Sequence, residues 1–344
     1  RSPGSADALK VGRSPEPGGS AQEKAAVDFA EIIGQESAKR GMEIAAAGAH
    51  NIIMIGPPGS GKTSLAKALA GILPPMSRSE ALLTGRIYSV AGKHRGATDR
   101  ERPFRAPHCS ASLAAMIGGG SGSSITPGEV SLACNGVLFL DEFGQIPHTV
   151  TEALRGPMED RKVVISRMRS KVEFPASFML VAASNPCPCG WYGEGDRCSC
   201  SPYQRAAYLS RLSGPIMDRM DIQVRVRPVP SEEILRRGRA EASGAIAARV
   251  LEARRIQKRR FAAEAIETNS EMSTAQIRRF CRLDGACAAL LGEILEKQQL
   301  SMRAYFRIIK VARSIADLAG SADIRQEHIL EAASFRLLDR VEFL

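Results

Sequence analysis

The sequence predicts an α/β fold in which helices enclose a central parallel sheet, followed by an all-helical domain. Three short apolar runs predict the sheet, at Asn51–Ile55, Val137–Leu140 and Phe178–Ala182. Continuous apolar strands separated by helical segments are typical of a parallel sheet that is covered on both faces. After about Pro228 such runs stop, and apolar residues recur at helical spacing, for example between Cys287 and Ile294. We therefore expect an α/β core followed by a helical domain.

Composition places approximate boundaries on these parts. Residues 1–28 are rich in Pro, Gly and Ser and are expected to form a flexible linker. The core is expected over 29–228 and the helical domain over 229–344. A glycine-rich stretch near 86–128 is too long for an ordinary connection, which indicates an inserted functional element. Because the first residue is Arg1 and not Met, we expect that the sequence is a fragment of a longer protein or that its first residues result from processing or cloning.

Bulk properties indicate a globular protein. The 344 residues are 44% hydrophobic and 24% charged, which are ordinary values for globular proteins. No apolar run approaches the roughly 20 residues that span a bilayer, and no secretory signal is visible. We therefore expect a cytoplasmic protein without a membrane partner.

The most specific motif is GPPGSGKT, which follows the first apolar run and precedes a helix-forming stretch. A buried strand, a glycine-rich turn and a helix N-terminus together direct backbone N–H groups at one anion. In this pattern the lysine reaches the β- and γ-phosphates of a nucleoside triphosphate, and the threonine hydroxyl holds Mg²⁺. The expected nucleotide-binding residues are Gly56, Pro57, Pro58, Gly59, Ser60, Gly61, Lys62, Thr63 and Ser64.

Polar residues follow the other two apolar runs. Asp141 and Glu142 come directly after the second run, and Asn185 lies just beyond the third. Ligands of open α/β sheets bind at the carboxyl ends of the strands. We expect Asp141 to hold Mg²⁺ together with Thr63, and Glu142 to polarise the attacking water. Asn185 is expected to orient that water or to sense the γ-phosphate. The sequence therefore predicts hydrolysis of the bound nucleoside triphosphate.

The net charge is 47 − 37 = +10, and it is unevenly distributed. The window 225–260 holds eleven basic residues and four acids. Clustered cations on a helix suit a polyanion such as nucleic acid, although solvated charged faces are also common.

Four cysteines lie close together in a turn-rich segment after Asn185, in the pattern C-x-C-x₈-C-x-C. Four thiolates satisfy tetrahedral zinc, and such a site is structural because it leaves no open position. Free thiols and a disulfide are the alternatives. The four residues are Cys187, Cys189, Cys198 and Cys200.

The ordered strings GPPGSGKT, VLFLDE and VAASNP, followed by SGPIMDRMD and SMR, resemble those of AAA+ ATPases. More narrowly, RPFRAPH, PGEVSLACNGVLFLDE and NPCPCGWYG resemble the magnesium-chelatase-like ATPases of the YifB/ComM family. The resemblance extends from Phe29 to the C-terminus. It departs at His108-Cys109, where relatives often carry two histidines, and at Phe143–Gln145.

The resemblance implies a P-loop AAA+ core with a helical lid, assembled as a homo-hexameric ring. It implies that Arg219 is an arginine finger that reaches the nucleotide of a neighbouring subunit. Arg303 would be the sensor-2 arginine, acting on the γ-phosphate of its own subunit. A guanidinium suits both roles because it stays charged. Upstream of the chain, the resemblance implies a Lon-protease-like domain.

A basic hairpin near 161–174 is expected to project toward the ring pore, as in the resembling family. Cations there would grip a nucleic-acid backbone, and a solubilised edge hairpin is the alternative. The expected DNA-contacting residues are Arg161, Lys162, Arg167, Arg169 and Lys171. The function predicted is an ATP-driven ring motor on DNA, for helicase or branch-migration work. The alternative is a protein-remodelling or chelatase-type motor.

Overall fold

The chain is described from a computed structural model over residues 27–96, 99–120, 125–167, 170–212, 216–230 and 240–336. The linker expected over 1–28 lies outside these ranges except for its last two residues. Arg169 and the side chain of Arg167 also lie outside the described part.

The strands form one central sheet and two small antiparallel pairs. In chain order they are β1 (Ile52–Ile55), β2 (Phe104–Arg105), β3 (Gly118–Gly119), β4 (Thr126–Pro127), β5 (Val137–Leu140), β6 (Lys162–Arg167), β7 (Ser170–Pro175), β8 (Met179–Ser184) and β9 (Ile222–Arg225). The central sheet has the spatial order β2-β5-β8-β1-β9, and every pairing within it is parallel. The chain order is therefore interrupted by crossovers, as in other parallel α/β sheets.

Helices surround the sheet and then continue alone to the end of the described chain. They are α1 (Glu36–Gly48), α2 (Lys62–Ile72), α3 (Arg78–Val90), α4 (Leu113–Ile117), α5 (Glu129–Leu132), α6 (His148–Asp160), α7 (Pro202–Leu212), α8 (Ser243–Arg260), α9 (Thr274–Phe280), α10 (Gly285–Lys297), α11 (Met302–Leu318) and α12 (Gln326–Ser334). Among the residues that the structure describes, none of the helices has the length and apolar composition needed to cross a membrane.

Both faces of the sheet are buried, which explains the continuous apolar strands. Along β1, Ile52 and Met54 join one hydrophobic cluster, while Ile53 and Ile55 join another on the opposite face. The first cluster includes residues of α1, α2 and the helical region from α8 to α12. The second includes residues of α6, α7 and the hairpin of β6 and β7. The predicted α/β core with a helical C-terminal region is confirmed.

A buried polar network joins the helical region to the amino ends of β1 and β9. Asp221 accepts hydrogen bonds from the Asn51 backbone N–H (3.2 Å) and contacts His50 Nδ1 (3.3 Å), and it forms an ion pair with Arg307 of α11. His50 Nε2 lies 2.7 Å from the Ser314 hydroxyl, also on α11. Burial raises the pKa of Asp221, but the Arg307 guanidinium and His50 outweigh this effect and hold that pKa below its usual range. Because α11 contributes two of these partners, the network fixes the helical region from α8 to α12, the lid, against the amino edge of the sheet.

The glycine-rich stretch near 86–128 is only partly an insertion. Within it, β2 pairs in parallel with β5 and forms the edge of the central sheet. The sequence did not predict this strand, because two residues are too few to show a period. β3 and β4 form their own small pair further along the stretch.

Candidate nucleotide site

The GPPGSGKT motif forms the turn between β1 and α2. Gly61 has φ +89°, a left-handed conformation that favours glycine, and α2 begins at the next residue, Lys62. At Gly56 a Cβ atom would lie 2.1 Å from the Val226 carbonyl oxygen, so only glycine fits beside the end of β9. The loop therefore wraps the N-terminus of α2, where backbone N–H groups are available to an anion.

Lys62 is buried inside this loop. Its Nζ donates hydrogen bonds to the carbonyl oxygens of Gly56 (2.7 Å) and Pro57 (2.8 Å), and to Asn185 Oδ1 (3.3 Å). Burial lowers the pKa of Lys62, and the negative charge of Asp141 opposes this shift. The ammonium is thus held on the floor of the loop. Phosphate oxygens bound there would stabilise its positive charge, which burial disfavours.

The two acids after β5 face the same loop. The Thr63 hydroxyl donates to Asp141 Oδ2 at 2.9 Å, and the Glu142 backbone N–H donates to Asp141 Oδ1 at 2.8 Å. Glu142 has φ +50°, an uncommon conformation for a residue with a side chain. Asp141 and Glu142 both line the cleft that contains the loop.

This cleft has a volume of about 800 Å³ and opens at the carboxyl ends of β1, β5 and β8. Its lining includes Lys62, Thr63, Asp141, Glu142 and Asn185. The structure thus brings together, at one sheet edge, five residues that sequence reasoning took from three separate segments.

The cleft lining also includes residues that were not predicted from the sequence, among them His108 and Cys109, which follow β2. The Cys109 thiol donates to Glu142 Oε2 at 3.6 Å. Burial is the larger cause that raises the pKa of Cys109, and this hydrogen bond raises it further. The available signal was the RPFRAPH string, whose last residue directly precedes Cys109. Without β2 in the predicted sheet, nothing indicated that this string reaches the nucleotide cleft.

Arg219 and Arg303 lie elsewhere. Arg219 is buried just before β9, where its carbonyl oxygen accepts a hydrogen bond from Asn51 Nδ2 (3.1 Å) and its guanidinium pairs with Glu159. Arg303, at the start of α11, pairs with Asp218 at 3.0 Å. Both arginines are therefore at the amino edge of the sheet, and the four-residue β1, about 13 Å long, separates that edge from the P-loop.

In this conformation Arg303 pairs with Asp218 and does not line the nucleotide cleft of its own subunit. The physical reason is the docking of the lid. Arg307 and Ser314, on the same helix as Arg303, are fixed to Asp221 and His50 at the amino edge.

The expected DNA-contacting cations differ from one another in how far they are exposed and paired within the fold. Arg161 lies at the base of the hairpin, where it forms an ion pair with Glu271 and donates to the Ser177 hydroxyl (3.4 Å). It holds the hairpin to the lid and is not available at the hairpin tip. Lys171 is exposed, and Lys162 is about half exposed and pairs with Glu173 at 3.2 Å.

Arg236, Arg237 and Arg239 of the basic window 225–260 lie outside the described residues, and several of its other cations are engaged within the fold. Arg249 pairs with Glu43 of α1 (2.6 Å), Arg254 donates to the Ala46 carbonyl oxygen (2.8 Å), and Arg260 pairs with Asp317. These contacts join α8 to α1 of the core and to α11 of the lid. Other described cations of the window are exposed, such as Arg259, which is 74% exposed, and the interpretation of this window as a nucleic-acid surface stays a prediction.

The four clustered cysteines converge in space. Their sulfur atoms all lie within 4.8 Å of one another, and three pairs are separated by 3.4, 3.7 and 3.8 Å. These separations exceed the roughly 2.05 Å of a disulfide, and all four cysteines are free. Burial raises the pKa of Cys187 to about 12, whereas a hydrogen bond from the Trp191 backbone lowers the pKa of Cys189 to about 6. The cluster could hold a metal ion.

Comparison with known families agrees with this arrangement. The family described as "Magnesium chelatase, subunit ChlI" matches residues 28–234, which is more than half of the chain. The chain belongs to this family. The family described as "Magnesium chelatase, subunit ChlI C-terminal" matches residues 240–336, which include the described helices of the lid.

Individual relatives place the chain in the magnesium-chelatase-like group of ComM and YifB proteins. The chain is 45% identical over 320 residues to "Competence protein ComM" of Haemophilus influenzae, covering 92% of this chain and 62% of that protein. It is 44% identical over 317 residues to "Uncharacterized protein YifB" of Escherichia coli, covering 91% and 61%. The chain thus spans about three fifths of the length of these relatives.

Proposed function

We propose that this chain is the Mg²⁺-dependent ATPase part of a ring-forming motor that acts on DNA. The observation that carries the proposal is the convergence of Lys62, Thr63, Asp141, Glu142 and Asn185 around one cleft. Membership of the magnesium chelatase family supports the use of nucleotide and Mg²⁺.

The donors for Mg²⁺ are the Thr63 hydroxyl and the Asp141 carboxylate. Their oxygen atoms are 2.9 Å apart, close to the edge of about 3.0 Å of an octahedron with Mg–O bonds near 2.1 Å. Mg²⁺ prefers oxygen donors of these two kinds, so the residues fit the ion. When bound, Mg²⁺ neutralises phosphate charge.

For hydrolysis, Glu142 is the candidate general base, because its carboxylate lies in the cleft beyond the loop. It would accept a proton from the attacking water as the bond to the γ-phosphorus forms and the bond to the β–γ bridging oxygen breaks. Lys62 would stabilise the charge on the phosphate oxygens. The Asn185 side-chain amide, whose oxygen accepts a hydrogen bond from Lys62, would orient the water or the γ-phosphate.

We propose that both Arg219 and Arg303 act on the nucleotide of an adjacent copy. The two arginines lie close together at the amino edge of the sheet, because Arg303 pairs with Asp218, the residue directly before Arg219. In a ring, the amino edge of one subunit would face the cleft of the next. A heterologous, head-to-tail contact of this kind closes into a ring when its rotation permits.

DNA is favoured as the substrate by charge. The chain carries a net charge of +10, and the hairpin of β6 and β7 presents the exposed Lys171. The similarity to a protein named for competence is consistent with DNA. A protein partner is the alternative suggested by the chelatase family, and the DNA experiment below separates the two.

We also propose that the cysteine cluster binds one structural Zn²⁺. With Zn–S bonds near 2.3 Å, tetrahedral geometry places sulfur atoms about 3.8 Å apart. The separations among the sulfur atoms of Cys187, Cys189 and Cys198 are 3.4–3.8 Å, and the Cys200 sulfur lies within 4.8 Å of the other three, so the cluster is close to the size that the ion requires.

Lys62→Ala is expected to weaken binding of a fluorescent ATP analogue by about 30-fold or more, because removing a buried charged partner costs several kcal/mol. The measurement is a fluorescence titration with Mg²⁺ present. Lys67→Ala removes a cation from the same helix but does not touch the cleft lining, so it is the matched control and should bind normally. Equal affinity of the two variants would contradict the nucleotide assignment.

Lys171→Glu is expected to reduce stimulation of ATPase by single-stranded DNA by about threefold or more, because it reverses a charge on the hairpin. Stimulation is measured at low and high salt, and the effect should shrink at high salt. Lys297→Glu, an equal charge reversal at an exposed position of α10 outside the hairpin and the basic window, is the control and should leave the stimulation unchanged. Absence of any salt-sensitive DNA binding or stimulation in the parent chain would leave the protein-partner alternative.

A further inference from the structure

The cysteine segment and the nucleotide loop are physically joined, although the two motifs are far apart in sequence. The segment from Cys187 to Cys200 begins two residues after Asn185, whose amide oxygen accepts a hydrogen bond from Lys62. Its first turn lies directly on the P-loop. A Cβ atom at Gly190 would be 2.7 Å from Pro58 Cδ and 2.8 Å from Pro58 Cγ.

A second attachment ties the same segment to the neighbouring strand. Arg225, the last residue of β9, donates from Nη2 to the Gly193 carbonyl oxygen at 3.3 Å and pairs with Glu194 at 3.6 Å. The segment therefore contacts the sheet edge beside the loop at Pro58 and beside β9 at Arg225.

Little inside the segment can hold this shape by apolar packing. Apart from one short 3-10 turn over Gly195–Arg197, it has no regular secondary structure, and only Cys187 and Gly190 in it are buried. Two cation–π pairs, Arg197 on Trp191 and Arg205 on Tyr192, lie on its outer side, where such contacts are weak. A metal held by four thiolates would be the main support, because structural zinc contributes folding free energy directly.

We infer that a metal ion bound by Cys187, Cys189, Cys198 and Cys200 braces one wall of the nucleotide cleft, so that nucleotide affinity depends on that metal. The inference rests on the proposed function. With the ion bound, Gly190 stays against Pro58, and Asn185 stays within reach of Lys62. Without the ion, the segment loosens, and both contacts to the phosphate-binding loop are lost.

The first test uses the whole chain and Zn²⁺ as the probe. Elemental analysis should find about one zinc per chain. Removing it with a zinc-selective chelator, with Mg²⁺ in excess, should weaken binding of a fluorescent ATP analogue by about tenfold, and adding Zn²⁺ should restore it. Cys198→Ser should lose the zinc and show the same weakened binding. A chain without stoichiometric zinc, or with affinity unchanged on stripping, would overturn the inference.

The second test leaves the four ligands in place and breaks only the contact with the loop. Gly190 has φ +86° and no room for a Cβ, so Gly190→Ala should keep its zinc yet bind the analogue about tenfold more weakly. Gly195→Ala is the matched control, because Gly195 has φ +63° but no atom lies within 4 Å of its Cβ position. It carries similar backbone strain and should bind within about twofold of the parent.

The Lys62→Ala variant separates the two proposals. If Lys62→Ala binds normally, the nucleotide site itself is misassigned. If Lys62→Ala weakens binding while zinc removal and Gly190→Ala do not, the site stands and the metal brace is refuted. Should Gly190→Ala fail to fold by circular dichroism, the removal and restoration of zinc decide.

Discussion

Glu142→Gln is expected to lower the rate of ATP hydrolysis by about 100-fold or more while leaving nucleotide affinity within about twofold. The glutamine keeps the size of the side chain and its place beside Cys109, but it cannot accept the proton of the attacking water. The nucleotide contacts made by Lys62, Thr63 and Asp141 stay intact. The measurements are steady-state phosphate release and a binding titration with the ATP analogue.

Glu293→Gln is the control for this variant, since it removes one exposed carboxylate of the lid without approaching the cleft. Its rate should equal that of the parent chain. An unimpaired Glu142→Gln rate would show that another group activates the water. Loss of nucleotide binding would show instead that Glu142 contributes to binding the nucleotide itself.

Arg219→Ala is expected to lower hydrolysis by about 1,000-fold, the scale on which arginine fingers act. Arg219 is at the amino edge of the sheet, about one β1 length from its own P-loop, and we therefore propose that it serves the cleft of another copy. Because Arg219 is buried against Glu159, Arg219→Lys serves as a second variant that keeps the charge. It should also be slow, because an ammonium lacks the planar fork of a guanidinium.

Mixing Arg219→Ala with Glu142→Gln tests the shared site directly. Each variant is inactive by itself, but an interface between the intact Glu142 of one copy and the intact Arg219 of the next is complete. Random mixing at equal amounts makes about a quarter of the interfaces complete in a head-to-tail ring. We therefore expect activity to return at about that fraction of the parent rate. A mixture as inactive as its components would refute the placement of Arg219 in a neighbour's site.

The parts of the site that the sequence could predict are those whose residues lie next to one another in short motifs. GPPGSGKT, the acids after β5 and Asn185 after β8 each follow an apolar strand, and the carboxyl ends of parallel strands meet at one edge. The spacing of the four cysteines likewise predicted a cluster, because 14 residues of turn-rich chain can fold back on themselves. No long-range information was needed for these assignments.

The surroundings of the predicted DNA-contacting cations depend on partners distant in sequence, which local patterns do not reveal. Arg161 pairs with Glu271, 110 residues away, and Arg249 with Glu43, 206 residues away. A count of charges cannot show whether a cation is paired inside the fold or exposed to a polyanion. The edge strand β2 was missed because two residues carry no period, and Cys109 was missed along with it.

The sequence by itself determined the fold class, the phosphate-binding loop and the identity of the acids, since these follow from local periodicity and from residue types at fixed spacing. Only the tertiary structure decided how the lid docks, through Asp221, His50 and Arg307, and therefore at which edge Arg219 and Arg303 lie. It alone placed the cysteine segment on Pro58. The physical reason is that burial and ion pairing between distant segments depend on the three-dimensional packing, whereas strand and loop patterns are set by neighbours along the chain.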